Sequence, residues 1–257
     1  MYNTDVQYIN GQIVAKPAGN VDVRRSLPEV KLTDRLGSTA WDVTIKSELS
    51  KYGYDTDPHL TAALDVQKRM AEITQQFVAR RNKQSPSETQ YLHLKRLADD
   101  YNNATKQAGQ SLDRARDGIK NRLESIQATF EDSLQFSMRD ASDLRQVLRS
   151  ATPEKRAEYI AQAVESGDGN LLAVVLHSHP VTVGLTAEMQ QAYRNQTMQK
   201  HRPDLLALER NLQKADRLVF DSFDDMLTIS DDLTASKIRQ QYEKEDQEAR
   251  SLATTQF

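Results

Sequence analysis

SPSETQYLHLKRLADDYNNATKQAGQSLDRARDGIKNRLESIQATFEDSLQFSMRDASDLRQVLRS, residues 85–150, is the stretch on which the fold reading turns. It opens on Ser85-Pro86-Ser87-Glu88, which has the form of a capping box. A hydroxyl meets a free N–H, proline takes the first helical position, and a glutamate reaches back. No proline follows until Pro153. Between them apolar residues recur in three- and four-residue steps: Tyr91, Leu94, Ala98 and Tyr101, then Ala108, Leu112, Ala115 and Ile119, then Leu123, Ile126, Phe130 and Leu134. That spacing keeps one stripe on one face of a helix. The reading is one very long, mostly polar helix, which needs partner helices to cover its stripe. Asn102, Asn103, Gly109 and Ser111 form its soft spot, because Asn and Gly cost roughly 0.5–1 kcal/mol each against Ala. Either the helix breaks there, or small residues admit a close partner.

Outward from this stretch the chain divides at 57, 150 and 202. Residues 1–57 carry four of the nine glycines (11, 19, 37 and 53) and prolines 17 and 28, without sustained periodicity. They read as an extended arm, with one short helix near 39–51. Trp41, Tyr52 and Tyr54 are too apolar for a bare linker. They dock the arm on its own helices or on a neighbouring subunit. Asp57-Pro58 starts a helix to about Lys83, which folds back on the long one as an antiparallel hairpin over 58–150. A small helical module follows over 151–202, and Thr152, Asp168 and Thr186 are its caps. Pro203 opens the last long helix, 203–257. Its residues Leu205, Leu208, Leu212, Ala215, Val219, Phe223 and Met226 step close to a heptad. Leu205, Leu208, Leu212, Val219, Phe223 and Met226 are the candidate association seam, closing within the chain or between chains. The end beyond Asp221 is rich in acid, and helix continues through Ile238 and Tyr242 before Ser251–Phe257 frays. The fold expected is all-α: an elongated, coiled-coil-like bundle with an extended N-terminal arm.

Composition supports this class and narrows function. Aromatics at 6%, a mean hydropathy of -0.70 and few Gly and Pro favour helices over a large globular core. A net charge of -3 leaves no footprint for non-specific nucleic-acid binding, and Arg80-Arg81 with Lys83 is a sparse basic cluster. With no cysteine, thiol nucleophiles, thiolate metal sites and disulfides are excluded. There is no phosphate-binding glycine loop and no GxSxG elbow. Asp224-Asp225 and Asp231-Asp232 lack the glycine and glutamate of an EF-hand loop. The N-terminus has no signal-peptide pattern, and the longest apolar run, Leu171–Leu176, is far short of a membrane span. The expectation is a protein made in the cytoplasm, without a membrane span or a cofactor.

His177-Ser178-His179-Pro180 is the most pointed chemical motif. It resembles the His-x-His-Pro element of JAMM-type zinc isopeptidases. The resemblance implies two imidazoles on zinc at the end of an apolar strand, an aspartate as third ligand and an upstream glutamate activating the water. The pattern departs from that family at the expected serine and aspartate, where Ala187 and Gln190 stand. The plainer reading is a helix end at which histidines cap carbonyls and proline stops the helix. His59, His93 and His201 are isolated and read as capping or surface residues.

A second resemblance covers residues 149–204, carried by Pro153-Glu154-Lys155-Arg156, Glu165-Ser166-Gly167-Asp168, Leu172-Ala173-Val174-Val175-Leu176, Pro180, Gly184-Leu185-Thr186 and Glu188. This order is similar to a helical segment of uncharacterised structural or assembly proteins of tailed bacteriophages. It implies a non-enzymatic virion or assembly protein, a homo-oligomer that also contacts other virion proteins. The alternative from the residues is a cytoplasmic helical adaptor or assembly chaperone working through the acidic end. A zinc hydrolase using His177 and His179 is the enzyme reading.

Overall fold

The computed structural model describes residues 6–9, 12–15, 24–38 and 41–254. Its body is all-helical. In chain order the helices are α1 (Asp34–Gly37), α2 (Trp41–Lys46), α3 (Pro58–Arg81), α4 (Gln90–Ser133), α5 (Ala141–Ser150), α6 (Pro153–Ser166), α7 (Gly169–His177), α8 (Ala187–His201), α9 (Pro203–Thr228), α10 (Ser230–Leu233) and α11 (Ser236–Thr254). Single 3-10 turns lie at Ser50–Tyr52 and Pro180–Val183. Two short antiparallel strands, β1 (Val6–Ile9) and β2 (Gln12–Ala15), pair in register from Val6 opposite Ala15 to Ile9 opposite Gln12. The sequence signal for this hairpin is Asn10-Gly11 between two alternating segments. The reading of an extended arm passed over it. The rest of the arm's first 23 residues, and 255–257 of the expected frayed end, lie outside the described residues.

The caps place the helices where short polar side chains find free N–H groups. Asp57 Oδ1 accepts from the N–H of His59 (3.1 Å) and of Leu60 (3.2 Å), and Pro58 follows as the first helical residue. The other oxygen of Asp57 accepts from Arg122 Nε at 2.8 Å, which ties the start of α3 to α4. α4 begins one turn later than the capping box predicted. Ser85 to Glu88 forms a turn closed by Glu88 N–H on the Ser85 carbonyl, and Thr89 Oγ1 caps the helix through Leu92 N–H. Glu88 pairs with Arg96 instead of reaching back.

The single helix expected over 85–150 is corrected to two. α4 runs for 44 residues, about 66 Å, and stops at Ser133. The stop is a Schellman turn without glycine. Gln135 sits at φ 52, its N–H donates to Asp132 O, and Phe136 N–H returns to Glu131 O. A non-glycine residue in this region costs roughly 1–2 kcal/mol. The contact that offsets it is Phe136 edge-on to Phe130, with ring centres 5.5 Å apart. No glycine or proline marks this break, so periodicity ran through it. At the expected soft spot the helix is continuous. Gly109 faces the Phe223 ring, where an added Cβ would lie 3.2 Å from Cζ, so the small residue there admits α9.

α3 and α9 cover the stripe of α4. His59 lies beside Gly118, Phe77 beside Tyr101 and His93 beside Arg81, so α3 is antiparallel to α4. Tyr101 meets Met226 and Arg116 meets Asp216, so α9 is antiparallel to α4 as well. Leu60, Met70, Leu94, Leu97, Tyr101, Ile119, Ile126 and Phe130 are buried between them. Each such burial stabilises by about 2 kcal/mol relative to exposure. Tyr101 shows how the core handles its polar atoms. Its ring meets Phe77 edge-on at 5.1 Å, and its hydroxyl donates to Met226 O at 2.9 Å. Burial pushes its pKa up to about 12, so it stays a donor across the physiological range.

The C-terminal segment is not one helix. α9 gives way to α10, and then Ala235 at φ 49 sets off α11 beside the start of α4, where Tyr242 donates to Gln90 Oε1 at 2.8 Å. From residue 24 onward the arm, where it is described, docks on its own helices. Leu36 and Leu49 are fully buried, and Trp41, Tyr52 and Tyr54 pack half-buried against the same core. Gln67 and Gln75 donate to the carbonyls of Arg35 (2.6 Å) and Leu36 (2.8 Å). Arg35 forks onto Asp225 (2.9 and 3.0 Å), with Thr33 Oγ1 adding a third bond at 2.6 Å. Burial raises the Asp225 pKa, but the bonds from Arg35 and Thr33 outweigh it and hold the carboxyl below its ordinary value.

A second core gathers Leu148, Ile160, Leu172, Val175 and Val183 from α5, α6, α7 and the 3-10 turn at 180–183. α5 belongs to this module, so its boundary falls in the 134–140 link and not at 150. Arg156 holds it together through the carbonyls of Leu148 (2.7 Å), Gly184 (2.6 Å) and Ala151 (2.9 Å). The module meets the bundle where Gly169 lies against the end of α4. A Cβ on Gly169 would overlap the carbonyl oxygen of Leu134.

Three outcomes are expected. Gly169→Ala pushes the module off the end of α4 and lowers the melting temperature in calorimetry, while an alanine at exposed Ser150 changes it little. Leu212→Asp places an unpaired charge in the core, costs about 3–5 kcal/mol and removes helical circular dichroism from the isolated chain. Asp225→Asn costs about 1–3 kcal/mol at neutral pH in denaturant titrations. Because the folded-state pKa is the lower one, this contribution is complete above about pH 4 and fades as pH falls through the folded value, so variant and parent converge in acid.

Candidate functional site

The seam expected from the heptad steps is present and is used up inside the chain. Leu205, Leu208, Leu212, Val219 and Met226 are each at most 2% exposed, and Phe223 is half-buried against Gly109. Their assignment as subunit contacts is corrected to the chain's own core, because α3 and α4 already cover that face. The heptad pattern reports a helix neighbour and does not say whose it is.

The other singled-out polar residues are also committed within the fold. Arg80 pairs with Asp100 at 2.6 Å. Arg81 is buried, donating to the carbonyls of Pro28 (2.7 Å) and Asp232 (3.1 Å), and burial pulls its guanidinium below the ordinary value. His93 Nε2 lies 3.2 Å from Arg81 O and His201 Nε2 lies 2.6 Å from Val164 O. At the acidic end Glu245 pairs with Arg25 and Asp246 with Arg250. Among the described residues no group of three or more His, Asp or Glu side chains gathers so as to hold a metal ion.

His177 and His179 stand at the end of a helix, not of a strand. Asp168 caps α7 at its start through the N–H groups of Asn170 and Leu171, and Leu172–Val175 bury its middle. The residue at the expected third-ligand place, Gln190, has another task. Its amide donates to Val175 O (2.6 Å) and Ser178 O (2.7 Å), carbonyls that α7 leaves open at its end. The zinc arrangement is therefore not assembled by these residues. His177 turns toward the bundle instead: Nε2 is 3.3 Å from Glu131 Oε1, and the ring meets Phe136 edge-on at 5.8 Å.

Beside these histidines lies a groove of about 540 Å³ between α5 and the end of α7. Arg145, Arg149, His177, Ser178, His179 and Thr182 line it, together with Ser142 and Gln146, and no carboxylate does. Arg145 and Arg149 are one turn apart on one face of α5. Among the described residues neither has an ion pair or a hydrogen bond. The Ser178 hydroxyl is buried and has no hydrogen-bond partner among them. Several of the acceptors here are occupied. Val174 O takes Ser178 N–H, Val175 O and Ser178 O take Gln190, and His179 O takes Thr182. The carbonyls of Leu148 and Ala151, at the end of α5, take Arg156. What faces the groove is an excess of donors and positive charge.

The arginine pair was missed from sequence, although a signal existed. Like charges at i and i+4 on an exposed helix repel by a few tenths of a kcal/mol, and here no acid sits four residues to either side. That α7 brings two histidines opposite them is decided by the tertiary fold. Comparison of the chain with protein-family models, with curated proteins and with solved structures finds no match.

Proposed function

We propose that the chain is a non-enzymatic structural part of a tailed-bacteriophage particle, a virion component or an assembly scaffold. It acts as a coiled-coil-like helical spacer among copies of itself and other virion proteins. The observation that carries the reading is the 44-residue helix α4, clad by α3 and α9, with a separate small module fixed at one end. Such a frame separates two contact regions by about 66 Å. The likeness of residues 149–204 to phage proteins supports it from the sequence side.

With the heptad seam closed within the chain, assembly contacts fall to the outside. Phe220 and Leu227, 47% and 49% exposed, lie seven residues apart on α9, and Val43 on α2 is 69% exposed. The adaptor reading has less behind it, since Glu245 and Asp246 of its acidic end are paired within the chain. Among the described residues no helix is long and apolar enough to cross a membrane.

The test is mass spectrometry of purified phage particles together with deletion of the gene. The expected result is the protein at fixed copy number in particles or in assembly intermediates, and loss of infectious particles on deletion. Normal particles formed without it overturn the reading. Phe220→Asp with Leu227→Asp is expected to reduce the native mass of the assembled protein and to leave its helix content intact.

A further inference from the structure

We propose that the groove between α5 and the end of α7 is a binding site for the phosphate group of a small ligand. The inference stands on the donors that line the groove and is independent of the virion reading. Two arginines whose charges repel each other along α5 have no anion within the described chain. Guanidinium groups of this kind bind phosphate through paired N–H bonds. Opposite them are the His179 ring and the buried Ser178 hydroxyl, while the Thr182 hydroxyl has its proton on His179 O. A buried hydroxyl without a partner is a standing cost that an acceptor oxygen removes. Five of the surrounding carbonyls, which would repel an anion, are already engaged by Gln190, Arg156 and Thr182.

The class of ligand follows from the arrangement. Donors reach the groove from two facing elements, which suits a tetrahedral anion with several acceptor oxygens better than a planar carboxylate held by one fork. The volume, about 540 Å³, lies in the range of small-molecule sites and leaves room for the remainder of a phosphate ester. A nucleic-acid backbone asks for a row of free cations along the molecule. Arg35, Arg80, Arg116, Arg122 and Arg194 are spent on Asp225, Asp100, Asp216, Asp57 and Glu209, and Arg69, Arg114, Arg139, Arg210 and Arg217, which carry no ion pair among the described residues, lie outside the groove lining. Of the acids that touch lining residues, Glu131 lies beside His177 and accepts from Gln127, and Asp143 accepts from the Ser142 hydroxyl.

The experiment is titration of the full-length protein with inorganic phosphate at constant ionic strength. It is followed by nuclear magnetic resonance of the arginine and histidine side chains, with sodium chloride as control. Saturable one-to-one binding is expected, with shifts centred on Arg145, Arg149 and His179. The paired variant Arg145→Gln, Arg149→Gln is expected to weaken it by about tenfold or more. Lys200→Gln, on α8 and outside the groove lining, is expected to leave it unchanged. Circular dichroism reports whether each variant keeps its helices. Ser178→Ala serves as a second variant, since it removes an unpartnered hydroxyl. It is expected to melt no lower than the parent while binding phosphate severalfold more weakly. Absence of saturable binding, or equal affinity in the arginine variant, overturns the proposal. A short DNA duplex that shifts the same signals and resists competition by phosphate also overturns it, in favour of a nucleic-acid surface.

Discussion

The apolar stripe of α4 is the constraint on which everything else hangs. A 44-residue helix with charged residues on its remaining faces has little reason to form alone in water, since helix stability in proteins comes mainly from covering an amphipathic face. Here α3 and α9 do the covering, both antiparallel to α4. The Tyr101 hydroxyl is buried in this core with a partner, Met226 O, whereas Trp41 Nε1, Arg81 Nε and Thr105 Oγ1 are buried without one among the described residues. Where two helices must come close, a small residue stands between them, Gly109 under Phe223 and Gly118 under His59. The weak helix formers along α4 are thus places of contact and not of rupture.

The same economy shapes the N-terminal segment. Its leucines fill the surface left between α3 and α9, and its backbone carbonyls are taken by Gln67, Gln75 and Arg81 from α3. Gln90 makes a reciprocal pair with the backbone of Arg25, both bonds 2.8 Å, in the manner of a strand edge. The Arg35–Asp225 fork then joins this segment to α9 across most of the sequence. A stretch that looks irregular in isolation becomes ordered because helices supply the hydrogen bonds that it cannot supply itself.

The junction of the two bodies positions the groove. The Schellman turn after Ser133 puts Phe136 back on Phe130 and frees the chain to start α5 in a new direction. Gly169 allows α7 to press on that turn, and His177 adds its contact with Glu131. These contacts bring the end of α7 opposite Arg145 and Arg149. The positive groove is therefore a product of the turn between helices, and of Gln190 engaging the carbonyls that would otherwise face it.

Read alone, the sequence determined the helical class, the starts of α3, α6, α7 and α8 through Asp57, Thr152, Asp168 and Thr186, and the buried face of α9. Those features are local: a short polar side chain beside free N–H groups, proline at a first turn, and a repeat near 3.6. His177 and His179 were legible as a motif, but not what they face. The tertiary structure alone decided the end of α4, because the αL position at Gln135 is held by the ring of Phe136 on Phe130 and not by a glycine. It also decided that the α9 seam closes within the chain. Periodicity states that a face must be covered, and which helix covers it depends on contacts between residues more than a hundred positions apart.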